Sequence, residues 1–293
     1  MTAPRLSVVI PSFNQADYLA ATIDSVLDQR YPNLQLMVID GGSTDGSTDI
    51  IRHYAPHLDL AISEPDNGQT HAINKGLRHA DGGLVTWVCS DDTLLPGSLD
   101  AVANLKQAQP QARWVAGRCQ QIDQHGESIL IEPRSRDISL RTALLRTPTR
   151  PFHFPQPGVW WDPKLHHQHG YLDESLHYAM DFAWWLTLLK EGHHPVIIDQ
   201  PLATYRMHPQ SKTCAHPSGF IGDHVTVERA FARDLSWSER VSVFRRTAYQ
   251  QRAAYLETLP RRPWIEILTH PWWLLSQQVR AHLWHGPPHT RAA

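Results

Sequence analysis

The sequence predicts an α/β protein: a mostly parallel central sheet with helices on both faces, followed by a helical C-terminal appendage. Three observations predict it. Apolar, β-branched runs alternate with segments whose apolar residues recur at helical spacing. The loops after those runs are rich in Gly, Ser, Thr and Asp. From Pro217 onward no strand-like run remains. Alternation of strand and helix implies parallel pairing through right-handed crossovers, so every loop after a strand opens on one sheet edge.

The elements follow in order. Leu6 to Ile10 is a strand stopped by Pro11, and Ala16 to Gln29 is a helix with Leu19, Ile23, Val26 and Leu27 on one face. Leu34 to Ile39 is the second strand; Ser47 or Thr48 then caps a helix reaching about Tyr54. Leu60 to Ile62 is a short third strand, Thr70 to His79 a helix with Ile73 and Leu77 inward, Leu84 to Val88 the fourth strand, and Pro96 to Gln109 the fourth helix. Alternation then stops. Arg113 to Gln121 and Ser128 to Glu132 read as a hairpin around Asp123 to Gly126, followed by a helix near Ile138 to Arg146 and a Pro- and aromatic-rich passage from Pro148 to Pro163. A strong helix spans Ala179 to Glu191, with short strands at Val196 to Asp199 and Leu202 to Tyr205. Three helical segments, divided by Ser236 and by Pro260 to Pro263, complete the chain. The expected organisation is a domain over 1–214 with halves 1–110 and 111–214, a helical extension over 215–285, and a disordered tail over 286–293.

Composition narrows the partners. With 41% apolar residues in 293, the chain can bury a full core, while a net charge of −2 and the lack of any Lys/Arg cluster argue against nucleic acid. Three widely spaced cysteines without a Cys-x-x-Cys pair fit neither a disulfide framework nor a zinc site, and suit a reducing cytoplasm. Met1 to Leu6 shows no charged and apolar leader, and no stretch reaches about eighteen apolar residues, so neither secretion nor membrane spanning is expected.

The chemistry concentrates in Trp87-Val88-Cys89-Ser90-Asp91-Asp92, where an apolar run ends in two adjacent carboxylates. The carboxyl ends of strands in open α/β sheets are where ligands bind, and hard oxygen donors there suit Mg²⁺ or Mn²⁺ carrying phosphate oxygens. An acidic turn or helix cap before Pro96 accounts for the pair equally well on local grounds. Three further loops share that edge: Pro11-Ser12-Phe13-Asn14, Asp40-Gly41-Gly42-Ser43-Thr44-Asp45 and Glu64-Pro65-Asp66-Asn67-Gly68. No Gly-x-Gly-x-x-Gly and no Walker lysine accompanies them, so a diphosphate here needs a cation bridging it to carboxylates. Acids at strand ends can also hold a ribose or a base edge, and the combination describes a nucleotide-diphosphate sugar.

From Leu6 to about Thr213 the sequence resembles the family 2 glycosyltransferases of the GT-A, Rossmann-like fold. The resemblance rests on Val8-Val9-Ile10-Pro11-Ser12-Phe13-Asn14, on Val38-Ile39-Asp40-Gly41-Gly42-Ser43-Thr44-Asp45-Gly46-Ser47, and on Asn74-Lys75-Gly76. It implies a donor site in which Asp40 contacts the nucleobase, the first loop with Pro11, Ser12 and Asn14 lines the nucleoside, and Asn74 and Lys75 line the nucleotide and diphosphate pocket; Ser43 and Asp66 complete the nucleotide-sugar-binding set. An ordinary helix C-terminus with Gly76 as cap competes for that last segment. Many relatives carry Asp-x-Asp-Asp where this chain has Cys89-Ser90-Asp91-Asp92. Asp91 is then the ribose contact, Asp92 the metal ligand, and Cys89 a small packing residue.

The resemblance extends to the acceptor half. Asp181, ahead of the aromatic run Phe182 to Trp185, matches the family's catalytic base, with a favourable charge at a helix N-terminus as the alternative. Gln156 and Trp160, in Gln156-Pro157-Gly158-Val159-Trp160-Trp161, match the segment beneath sugar and acceptor, where Trp160 or Trp161 stacks on a pyranose ring or else packs as a core tryptophan; Asp162 stands where relatives often have arginine. Tyr205-Arg206-Met207-His208 resembles the loop closing over the donor, with His208 a second metal ligand and Arg206 or Lys212 facing the diphosphate. The cluster His166, His167 and His169 has no such support.

The implied activity is metal-dependent, inverting transfer from a UDP-, dTDP- or GDP-sugar to a hydroxyl of a glycan or lipid-linked acceptor in bacterial surface-polysaccharide synthesis. A sugar-phosphate nucleotidyltransferase would need a Gly-rich basic loop after the first strand, and a non-catalytic nucleotide-sugar-binding protein would share the pocket without using Asp181. The aromatic tail from Trp264 to Trp284 suits docking on the catalytic domain, peripheral contact with the membrane, or a homodimer.

Overall fold

In the computed structural model, which describes residues 2–133, 135–147, 152, 154–215 and 217–257, eight strands form one sheet. Its first half is parallel: β1 (Leu6–Ser12), β2 (Leu34–Asp40), β3 (Leu60–Ser63) and β4 (Leu84–Trp87) lie in the order β3-β2-β1-β4. Helices α1 (Ala16–Leu27), α2 (Ser47–Tyr54) and α3 (Gln69–His79) form the crossovers, and α4 (Ser98–Ala108) follows β4. β1 runs two residues past its expected end. Pro11 pairs in register with Ile39, whereas pairing to β4 stops at Val9 and Trp87, so the proline's missing N–H falls beyond that ladder.

The second half is mixed. β5 (Trp114–Ile122) forms the predicted hairpin with β6 (Ser128–Ile131), and β7 (Val159–Trp161) inserts antiparallel between β4 and β5. Three residues within a Pro-rich passage are too few to show a period, so β7 was absent from the sequence expectation. β8 (Val196–Arg206) is one strand where two were expected. It runs parallel to β5, with register shifts around Arg118 that accommodate Pro201.

Side-chain alternation divides the interior. Val9, Met37, Ile39, Trp87 and Trp161 enter one core with α3, with α5 (Leu140–Leu144) and with α7 (Met180–Lys190). Val8, Ile10, Leu36, Val38 and Trp160 face the other core, with α1 and α4. The fit on β1 is close: a Cβ on Gly76 of α3 would lie 2.3 Å from Val9 Cγ1. Gly76 is thus an approach point inside a helix that continues to His79, and not a cap. Asp162 caps the unexpected α6 (Pro163–His169), accepting from Lys164 N at 2.9 Å with Pro163 at the first helical position, a structural role for the residue in the arginine's place. His166 of that helix is buried and accepts from Trp161 Nε1 at 3.0 Å.

Beyond the sheet come α8 (Lys212–Ala215), α9 (Pro217–Phe231) and α10 (Trp237–Glu257), with the expected break at Ser236. Val227 of α9 and Val243 of α10 join the core of α7. Residues up to Thr247 make one compact unit. Among the described residues no helix is long and apolar enough to cross a membrane. The third C-terminal segment, the aromatic tail and residues 286–293 lie outside the described residues.

Candidate active site

A cavity of about 890 Å³ opens at the carboxyl ends of β1 and β4 and reaches the N-terminus of α7. It brings together Pro11, Ser12, Asp66, Asp91, Asp92, Gln156 and Asp181 from the predicted set.

The acid pair occupies a turn closed by Asp92 N donating to Cys89 O at 2.9 Å, well ahead of α4, whose N-cap is Gly97. Helix capping therefore does not explain the pair. Asp92 is 3% exposed and accepts from Arg206 N at 2.8 Å. Burial, and then the charge of Asp91, push its carboxyl well above the usual carboxylate range. Cys89 Sγ and the carboxylate oxygens of Asp91 and Asp92 lie within 4.8 Å of one another, the cation-sized cluster among the described residues. Burial and the two aspartates raise the Cys89 thiol far above its ordinary range, so it offers a neutral sulfur, which accepts from Gln69 Nε2 at 3.2 Å.

Several expected residues are occupied elsewhere. Asp40 is 0% exposed, and its carboxylate accepts from the backbone N–H of Gly42 and Ser43 and from the hydroxyls of Ser43 and Ser63. Ser43 in turn accepts from Asn14 N, and Asn14 Oδ1 accepts from Thr44 N at 2.9 Å. These three residues tie the first two loops together beside the cavity. Gly41, between them, leaves room for the Asp66 carboxylate, which a Cβ would approach to 2.8 Å. Asn74 exchanges hydrogen bonds with the backbone of Leu172 and donates to Glu174, while Lys75 pairs with Glu64 at 2.6 Å. Neither lines the cavity.

Arg206 also turns away. Its guanidinium donates to the carbonyls of Asp91, Asp123 and Gln124 and lies 5.0 Å from the Tyr18 ring. Lys212 lines the cavity instead; burial lowers its pKa, and Nζ donates to His177 O at 2.7 Å. His208 meets Asp91 Oδ2 at 3.0 Å through Nε2, directly beside the cluster of Cys89, Asp91 and Asp92. Trp160 is 0% exposed in the α1 and α4 core and presents no face to the cavity. Trp87 and Trp185 supply aromatic wall, their rings stacked at 6.1 Å, and Gln156 Nε2 anchors that wall by donating to Trp87 O at 3.0 Å.

Asp181 projects from the first turn of α7, accepting from Phe182 N at 2.7 Å. Enclosure by the aromatic wall raises its pKa to about 6, opposed by that backbone hydrogen bond and by Lys212. Such a carboxylate is ionised at neutral pH yet basic enough to accept a proton from a hydroxyl. Ser12 Oγ, Gln69 Oε1 and Ser211 Oγ are buried in the cavity wall without a hydrogen-bond partner, the condition of groups that await a polar ligand.

The model for Glycosyl transferase family 2 matches residues 7–163 of this chain. TuaG of Bacillus subtilis (strain 168), provisionally named a teichuronic acid biosynthesis glycosyltransferase, is 28% identical over 212 residues, 70% of this chain and 79% of TuaG. An uncharacterized glycosyltransferase of Rickettsia typhi is 29% identical over 196 residues, and the match spans only 59% of that protein. A PGL/p-HBAD biosynthesis glycosyltransferase of Mycobacterium bovis is 36% identical over 97 residues, 32% of this chain and 38% of that protein. Among solved structures, S. aureus TarS 1–349 in complex with UDP-GlcNAc aligns with a TM-score of 0.64 at 17% identity, covering 84% of this chain and 72% of TarS. The mannosyltransferase PcManGT from Pyrobaculum calidifontis, in complex with GDP-Man and Mn²⁺, aligns at 0.63 and 20% identity, covering 96% of this chain and 83% of that one. At such identities the likeness to the two structures is one of fold.

Proposed function

The chain belongs to glycosyl transferase family 2, and from that premise we propose that it transfers a sugar, with inversion, from a UDP-, dTDP- or GDP-sugar to an acceptor hydroxyl. The observation that carries the reading is one cavity holding the acid pair after β4 and, on its other wall, the raised-pKa carboxylate of Asp181. Asp181 accepts the proton of the acceptor hydroxyl as that oxygen bonds to the anomeric carbon. The bond from that carbon to the diphosphate breaks, and its electron pair leaves with the nucleoside diphosphate. Attack opposite the leaving group inverts the centre. Lys212 faces the negative charge that develops on the diphosphate, in the role expected of Arg206 or Lys212.

The donor set suits Mg²⁺ or Mn²⁺. Asp92, with Asp91 beside it, offers hard carboxylate oxygens at one point of the wall; Asp92 would hold the ion, Asp91 would face the ribose, and phosphate oxygens and water would complete a shell of the kind Mg²⁺ prefers. A cation bound there would neutralise diphosphate charge. Relatives named for teichuronic acid and for PGL/p-HBAD biosynthesis favour a surface glycan or lipid-linked acceptor. Cytoplasmic synthesis, with peripheral contact at the membrane, fits such a product.

The test is a panel of UDP-, GDP- and dTDP-sugars, each with and without Mn²⁺. One donor is expected to raise the melting temperature, to do so more with the ion, and to give an inverted anomeric product by NMR. Stabilisation by none of them, or a product of retained configuration, overturns the reading.

A further inference from the structure

Beyond Asp181 the cavity ends in a basic wall that donor chemistry leaves unused. Arg146 and His224 line the cavity there, and the Arg146 guanidinium carbon lies 4.9 Å above the ring of Phe182, the residue after the proposed base. Arg146 Nη2 donates to Glu228 and sits 3.4 Å from His224 Nδ1. Glu228, 0% exposed, also accepts from Arg246 Nη2 at 2.6 Å, and Arg246 Nη1 donates to Arg146 O at 2.7 Å. Two guanidinium groups therefore share one carboxylate. His224 adds no charge, since burial and the two arginines hold its pKa down to about 3.

A structural clamp on Glu228 needs one arginine. The second leaves a net positive charge beside Phe182, whose ring packs on Phe152 and His224, where an uncompensated charge is costly. Among the described residues the Nε and Nη1 groups of Arg146 donate to nothing, so part of its donor fork is unspent. Such a fork matches the paired oxygens of a carboxylate or phosphate.

We propose that this wall is an anion site for the acceptor, in which Arg146 holds a carboxylate or phosphate group of the glycan whose hydroxyl meets Asp181. The proposal rests on the transferase reading and names its acceptor class: an acidic sugar chain, either uronate-bearing or phosphate-bearing. Arg246 and Glu228 position the fork without touching the ligand.

The experiment is calorimetric titration of the full chain with methyl β-glucoside, methyl β-glucuronide and methyl β-glucoside 6-phosphate. At least one anionic probe is expected to bind about tenfold or more tighter than the neutral one, and the tighter of the two identifies the group. Arg146→Gln should erase the preference while leaving nucleotide-sugar binding unchanged. Glu228→Gln raises the net charge of the cluster and should tighten anion binding, the opposite of what the loss of a mere clamp would do. Arg146→Lys keeps the charge and the Glu228 pair, and should retain a reduced preference even if Arg146→Gln does not fold. Equal or absent binding of the anionic probes, or weaker anion binding by Glu228→Gln, overturns the proposal. Donor stabilisation in the same preparations is a separate readout, and its failure would sink the transferase reading without touching the anion titration.

Discussion

Behind the β1 to β4 side of the cavity most polar side chains named by the motifs are hydrogen-bonded within the protein and do not line it, whereas on the α7 to α9 wall Asp181 and Arg146 keep capacity to spare. Asp40 accepts from four donors, Asn74 makes three hydrogen bonds, and Arg206 spends its guanidinium on three carbonyls. Asp181, by contrast, has one backbone donor, and Arg146 leaves Nε and Nη1 free of partners among the described residues. Much of a donor motif is thus the architecture of its loops, because a loop that must present a few groups to a ligand first has to satisfy its own backbone. What remains open toward the cavity is Ser12, Gln69 and Ser211 with orphaned oxygens, the acid pair, and Lys212.

That contrast can be broken at specific residues. The largest effect is expected at Trp160, where substitution by Ala should cost about 3–5 kcal/mol in urea unfolding, as for an emptied core site. Normal stability with impaired acceptor binding would return Trp160 to the sugar. Next is the stability of Asp181→Asn as a function of pH. The folded pKa of about 6 exceeds the ordinary 3.8, so the fold favours the protonated acid. The resulting destabilisation is absent below about pH 4, grows through pH 6 and is complete above it, reaching up to about 3 kcal/mol. Asp181→Asn should therefore raise the unfolding midpoint at pH 8 and leave it unchanged near pH 4; a midpoint shift independent of pH would contradict the enclosure of that carboxylate. Asp40→Asn turns an amide N–H donor toward groups that already donate and should cost about 1–3 kcal/mol, with nucleotide-sugar affinity falling only as the loop loosens. Smallest is Lys75→Ala, whose partner Glu64 is solvent-exposed; donor binding should be unchanged and the midpoint nearly so.

The first hundred residues were legible because each strand, loop and helix there is a local pattern, and parallel alternation dictates one edge for all the loops. Local patterns do not say where a polar side chain spends its hydrogen bonds. Asn74 is tied to Leu172 and Glu174, and Arg206 to Asp91 and Asp123, across long stretches of chain. β7 has no sequence signal because three residues carry no period, and it is β7 that sends Trp160 to one core and Trp161 to the other. Lys212 was visible as a basic residue near the closing loop, but only the fold separates it from Arg206. The basic wall had no signal at all: Arg146, His224, Glu228 and Arg246 come from three separate segments and match no motif.

Donor binding and transfer measured side by side on Asp181→Asn test the central claim most directly. Wild-type transfer should rise with pH through about 6 as Asp181 ionises and then level off. In Asp181→Asn the dissociation constant of the donor should stay at the wild-type value while transfer falls by about 10²–10⁴ and loses that pH step. Transfer that survives the substitution, or donor binding lost along with it, would contradict the assignment of proton removal to Asp181.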